Sequence, residues 1–155
     1  MAINKKSLTD QIYNMIKNEI LNREIELGEQ INTREIAEEQ GISLMPVRDA
    51  LRRLANEDLV ENRPRVGFFV KNFSEKEIND ILEVRKMHEL YCLENYFYQI
   101  DREKLLTLRD KFENVEPGYF TVYDNKLHKA IVYASQNKYL IDRYLKLVNH
   151  FTMLF

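Results

Sequence analysis

At 155 residues, 45% hydrophobic and 31% charged, with three prolines and four glycines, the chain has the composition of one or two small globular domains and excludes a disordered polyelectrolyte. A single cysteine, Cys92, excludes an intramolecular disulfide framework and fits a reducing cytoplasm, and no apolar run reaches the length of a signal peptide or a membrane span. The net charge of −2 is not that of a uniformly basic nucleic-acid binder, so any such role has to rest on local charge.

Ser7 to Leu21 reads as a helix with Leu8, Ile12, Met15, Ile16 and Ile20 on one side, the floor of a small core. Asn22 to Ile31, with Gly28, reads as a connector ending in a short strand at Gln30-Ile31. Thr33 to Gln40 follows as a short helix, with Asn32 and Glu35 spaced as a capping box and Gly41 where a helix ends in the left-handed conformation. A second helix begins at once. Ser43 is its N-cap, Pro46 lies in the first turn where a missing N–H costs nothing, and Val47, Ala50, Leu51 and Leu54 recur at helical spacing toward the core. Arg48, Arg52 and Arg53 fall off that stripe and face outward. Two helices joined by a glycine turn, the second carrying arginines, form a helix-turn-helix pattern suited to a DNA major groove. The plain alternative is a solvated face pairing with Asp49 and Glu57.

After Asp58 the period changes. Leu59-Val60 reads as a strand, Arg63-Pro-Arg-Val-Gly67 as a turn and Phe68-Phe-Val70 as a return strand, a two-stranded wing with Arg63 and Arg65 at its tip in reach of phosphates or the minor groove. From Ser43 to Lys71 six basic residues (Arg48, Arg52, Arg53, Arg63, Arg65, Lys71) outnumber four acidic ones (Asp49, Glu57, Asp58, Glu61), and Arg34 and Lys5-Lys6 add to the local excess.

The runs Leu27-Gly-Glu, Arg34-Glu-Ile-Ala, Ser43-x-x-Pro-Val-Arg-x-Ala-Leu and Val66-Gly-Phe-Phe-Val stand in one register. Together they resemble the N-terminal winged-helix domain of the GntR family of bacterial transcriptional regulators. The resemblance implies DNA contacts at Arg34, Ser43, Arg48 and Gly67. Leu44 and Met45 depart from it, standing where relatives commonly place Arg and Thr, and their apolar side chains suit thymine methyl groups in place of guanine edges. With Arg52, Arg63 and Arg65 these residues make up the predicted DNA-binding set.

Ser74 and Glu77 form a second capping box, with Phe73 and Ile78 at the positions of a hydrophobic staple, and mark a boundary between a first domain, 1–72, and a second, 73–155. Ile78, Ile81, Leu82, Leu90, Leu93 and Phe97 give a long helix ending near Ile100. Asp101 caps another to about Asn114, Pro117-Gly118 breaks it, and helices from Tyr119 to about Ser135 and from Lys138 onward follow. Glu83-Val-Arg85 with Glu89, Asp124-x-x-Leu-His128-x-x-Ile131 and Ser135-x-Asn137-x-x-Leu140 are similar to the start of the FCD ligand-binding domain of the FadR-like branch. That domain continues through helices bearing further histidine ligands, so this region reads as an incomplete bundle whose apolar faces are expected to pack on a second copy.

Arg85 either points into the bundle, where its place in the family-like run implies an anionic effector, or pairs with Glu89 one turn on. Asp124 and His128, at i and i+4, face the same way and suit a divalent metal of the zinc, manganese or nickel kind, though two ligands fall short of the usual four. His150 is a substitute ligand or a satisfied or partly exposed residue on an apolar helix, and His88 is expected to be solvated.

The fold expected is mostly α: a winged helix-turn-helix of three helices and a two-stranded wing, then an all-α bundle. The function expected is a sequence-specific transcriptional regulator, a repressor binding a palindromic double-stranded DNA operator as a homodimer and modulated by a small carboxylate effector. Two other classes compete: a winged helix used only for protein contacts, and a metal-dependent enzyme at Asp124 and His128, for which the sequence offers neither a positioned nucleophile nor a phosphate loop.

Overall fold

A computed structural model describes residues 7–116 and 119–154, and the chain divides between Asn72 and Phe73 into two units. The first contains α1 (Leu8–Leu21), β1 (Gln30–Ile31), α2 (Thr33–Glu39), α3 (Leu44–Asn56), β2 (Val60–Arg63) and β3 (Gly67–Val70). The second contains α4 (Glu75–Tyr96), a 3₁₀ turn (Phe97–Gln99), α5 (Arg102–Glu113), α6 (Phe120–Tyr133) and α7 (Lys138–Leu154). Lys5, Lys6 and the predicted Pro117-Gly118 break lie outside the described residues.

Ser7 starts α1 by accepting from the Asp10 backbone N–H while the Asp10 carboxylate accepts from the Ser7 N–H. One side of α1 buries Ile12, Ile16 and Ile20. Leu8, expected on that side, is exposed because the first turn runs past the core, and Met15 is half-buried. α1 packs on α3, whose Val47, Ala50, Leu51 and Leu54 are fully buried, as their spacing predicts. Asn32 caps α2 by accepting from the N–H groups of Arg34 and Glu35, but Glu35 returns no bond, so the predicted capping box is half formed. Gly41 follows with φ +61°, the left-handed stop that a side chain resists.

The wing has three strands, not two, in the antiparallel order β1-β3-β2. β1 covers the edge of β3 that would otherwise lie open. The register pairs Val60 with Val70, Glu61 with Phe69, Asn62 with Phe68 and Arg63 with Gly67. Alternation then turns Val60, Phe68 and Val70 to the core and Glu61, Arg63 and Phe69 away from it.

In the second unit the Ser74 hydroxyl accepts from the Glu77 N–H at 3.3 Å and the Glu77 carboxylate accepts from the Ser74 N–H at 2.9 Å, the full box predicted. Ser74→Ala is expected to lower the stability of this unit by about 1 kcal/mol, checked by denaturant unfolding followed by circular dichroism; an unchanged midpoint would show that the box adds nothing. α4 ends at Tyr96, earlier than predicted, and hands over through the 3₁₀ turn to α5, capped by Asp101. Its apolar stripe is not its buried face. Leu82, Leu90 and Phe97 are exposed, while Arg85 and Cys92 are the buried side chains of the helix. The core forms instead around Cys92, Val132, Tyr144 and Val148, with Tyr96, Ile131, Leu140 and Ile141 packed against it. Between α6 and α7 the Ser135 hydroxyl donates to the Val132 carbonyl, Gln136 turns at φ +51°, and the Asn137 side chain accepts from the Tyr139 and Leu140 N–H groups. Among the described residues no helix is long and apolar enough to cross a membrane.

Candidate functional site

Six of the nine residues predicted to meet DNA line one open groove of about 820 Å³: Arg34 at the start of α2, Arg48 and Arg52 on the outer side of α3, and Arg63, Arg65 and Gly67 on the wing. Gln30, Asn32, Thr33 and Asn62 add polar lining. Arg34, Arg48 and Arg65 have side chains with no ion pair or hydrogen bond among the described residues. Three uncompensated guanidinium groups on one concave surface attract a polyanion, and two come from rigid helices.

The other arginines are engaged. Arg52 pairs with Asp49 at 3.0 Å, the solvated bridge that the plain alternative describes. Arg63 pairs with Glu61 at 2.9 Å and lies over the Phe69 ring at 4.0 Å, on the wing side turned from the core. Arg53 is exposed but does not line the groove with Arg48. It bonds Asp10 at 2.6 Å and stacks on the Tyr13 ring at 4.3 Å, tying the back of α3 to α1 and, with Ser7, holding the Asp10 carboxyl below the usual carboxylate range. Glu57, at the end of α3, accepts from Lys17 at 2.7 Å and Tyr13 at 2.6 Å.

Ser43, Leu44 and Met45 open α3, with Ser43 and Met45 exposed, Met45 by 61%, and Leu44 half-buried. Ser43 has the extended backbone of an N-cap but makes no side-chain capping bond. The reason lies three residues on: Pro46 has no N–H, and the third helical N–H is the usual partner of a capping hydroxyl. The hydroxyl and the first N–H groups of α3 therefore remain available to a phosphate.

At the wing tip the Val66 N–H donates to the Arg63 carbonyl at 3.1 Å across Pro64-Arg65, and Arg65 sits at φ +65°. Proline in the second place of a turn and a positive φ in the third make the type II pattern, which favours glycine where Arg65 stands. The left-handed backbone costs a side-chain-bearing residue about 1–2 kcal/mol, so an arginine is held there at the expense of stability. Gly67 has φ +142°, and a Cβ on it would lie 3.0 Å from the Gln30 amide nitrogen, which donates to the Val66 carbonyl at 3.2 Å. Gly67 thus shapes the wing and can offer DNA only backbone. Gln30 and Asn62 belong to this surface and were not singled out by sequence, because an uncharged polar residue in a short strand carries no distinguishing pattern.

In the second unit Arg85 both pairs with Glu89 and faces a cavity. Its Nε donates to Glu89 Oε1 at 2.8 Å, its Nη2 lies 3.5 Å from Asp124 Oδ2, and its guanidinium rests over the Phe151 ring at 4.0 Å. Glu89 also accepts from Tyr144 at 2.6 Å and from His128 Nδ1 at 2.7 Å. Burial pushes the Glu89 carboxyl up, but the bonds from His128, Tyr144 and Arg85 outweigh it and bring the pKa down to about 2. Burial, then the bond to Glu89, pushes the Tyr144 hydroxyl well above its ordinary range. A cavity of about 330 Å³ above this network is walled by Leu82, Leu90 and Leu93 and floored by Arg85, Glu89, Asp124 and His128.

Asp124 and His128 do come together, 3.3 Å apart at Oδ1 and Nε2. As arranged they do not fit a metal: both ring nitrogens of His128 face carboxylates and the Arg85 cation already lies against Asp124. Among the described residues no three His, Cys, Asp or Glu side chains are grouped to hold a metal ion. His88 is half-buried against Tyr144, with Nδ1 bonded to the Val84 carbonyl at 2.8 Å, and the His150 ring packs on Phe73.

Residues 8–70 match the model of the gntR family of bacterial regulatory proteins. The chain is 28% identical over 138 residues to the uncharacterized HTH-type transcriptional regulator YdhC of Bacillus subtilis (strain 168), covering 84% of this chain and 62% of that protein. It is 26% identical over 145 residues to the probable D-xylose utilization operon transcriptional repressor of Paenarthrobacter nicotinovorans, covering 90% and 64%. The chain therefore spans less than two thirds of the length of these relatives. Among solved structures, E. coli McbR/YncC shares the fold with a TM-score of 0.72 at 22% identity, over 95% of this chain and 73% of that one. From these likenesses, residues 8–70 form a winged helix-turn-helix of the gntR family of bacterial regulatory proteins, and the chain as a whole is similar to HTH-type transcriptional regulators.

Proposed function

We propose that the chain binds a palindromic DNA operator as a homodimer and represses transcription, with α3 in the major groove, the wing beside it, and a small carboxylate effector acting through the second unit. The observation that carries the DNA reading is the convergence of Arg34, Arg48 and Arg65, each without an internal partner, on one groove. Repression is supported by the naming of a relative as an operon repressor. The dimer is supported by Leu82 and Leu90, apolar residues that α4 leaves exposed, and by the two-fold symmetry that paired half-sites require. The effector reading rests on Arg85 beside its cavity, where an incoming carboxylate competes with Glu89 for the same guanidinium. No step is assigned to a metal.

The test is binding of the full chain to duplexes recovered from a randomised library, at several salt concentrations. A sequence preference with affinity falling as salt rises supports the reading; indifference to sequence, or no binding at low salt, defeats it. Light scattering at tens of micromolar tests the dimer, and the mass of a single chain rules it out. Arg65 gives a sharper check. Arg65→Ala is expected to reduce the slope of log affinity against log salt by about one. Arg65→Gly should do the same while leaving stability unchanged or raising it by up to ~1 kcal/mol, because glycine relieves the left-handed backbone. A parent-like salt slope in both variants would remove Arg65 from the interface.

A further inference from the structure

Resting on the DNA-binding reading above, we infer that Asn62 is a base-reading residue of the wing and determines part of the operator sequence. Its position follows from the strand register. Asn62 pairs with Phe68, and both stand on the side of the sheet that carries Val60 and Val70 inward. Phe68 is buried, but Asn62 lies beyond the edge of the core and is exposed in the groove that Arg48 also lines. Arg63, one residue on, is held by Glu61 and Phe69.

The Asn62 side chain has no hydrogen-bond partner among the described residues, so neither the wing nor the core accounts for an amide there. Threonine or valine would suit the strand better. A primary amide offers a donor and an acceptor in one plane, which matches base edges, adenine N6 and N7 most closely, whereas a phosphate offers acceptors only. The groove thus combines cations that hold the backbone with one neutral group fitted for sequence.

The experiment compares the parent, Asn62→Ala, Asn62→Asp and Arg65→Ala on a duplex recovered from a randomised library and on its complete set of single base-pair replacements. For Asn62→Ala the expected result is loss of about 10-fold discrimination at one base pair of each half-site, with the salt slope unchanged, since a neutral side chain displaces no counterions. Asn62→Asp, which loses the donor and adds a negative charge, should weaken binding to every duplex. Arg65→Ala should lower the slope and leave the base preferences as they were. An Asn62→Ala protein with the parent's preferences at every position overturns the inference, as does one whose only change is in salt slope. If the parent itself shows no sequence preference, the DNA-binding reading falls first and this inference with it.

Discussion

Arg48→Ala is expected to lose about 10- to 100-fold in affinity for a selected operator, the effect of removing one bidentate contact worth about 1–3 kcal/mol. Arg48 stands in the second turn of α3, is exposed, and has no side-chain partner among the described residues. Its removal should therefore leave stability within about 0.5 kcal/mol of the parent, which separates loss of contact from loss of fold. Arg53→Ala is the control on the same helix. Arg53 is bound to Asp10 and Tyr13, so its replacement should disturb stability more than affinity. Fluorescence anisotropy at fixed salt, with thermal unfolding in parallel, checks both. A folded Arg48→Ala protein of parental affinity removes Arg48 from the interface.

Glu89→Gln should lower the stability of the second unit by about 3 kcal/mol, the usual cost of breaking a buried ion pair by removing one partner, and its Tm by more than about 10 °C. Among the described residues Arg85 would keep Asp124, at 3.5 Å, as a counter-charge, and one of the two Glu89 oxygens, Oε1 accepting from Arg85 and Tyr144 or Oε2 accepting from His128, would become an amide donor. The pH dependence gives a second reading. The carboxyl titrates at about 2 in the folded chain against an ordinary 4.5, so its stabilisation is fully present above pH 4.5 and is lost as pH falls toward 2. Parent and variant melting curves should converge across that window. Equal stability at pH 7 would mean that the network contributes no net stability.

Much of the fold was legible because its signals are local. The Ser74–Glu77 box, the left-handed Gly41 and the buried face of α3 each depend on residues within one or two helical turns, and each formed as its spacing required. What failed was set by residues far apart in sequence or by a neighbour whose effect ran against the pattern. Arg53 is engaged by Asp10 and Tyr13, which lie some forty residues earlier. Ser43 loses its capping bond to Pro46, whose presence in the first turn looked favourable when considered alone. On α4 hydrophobic periodicity selected the exposed leucines, and the inward option for Arg85 came from the family-like run alone; Glu89, His128 and Tyr144 make its burial tolerable from three different helices. The arginines of α3 and the wing were visible as a set, but which of them are engaged within the chain depended on Asp49, Glu61 and Asp10.

The tie of Arg53 to Asp10 and Tyr13 also limits how much sequence α3 can distinguish. From Leu44 to Arg52 the helix advances about 12 Å, the length of three to four base pairs at about 3.4 Å each. A word that short has on the order of a hundred alternatives and recurs by chance throughout any bacterial chromosome. One recognition helix of this protein therefore cannot mark a unique address. Under the proposed dimer, uniqueness would come from joining such words at a fixed spacing, so that the distance between half-sites carries information that no single side chain holds.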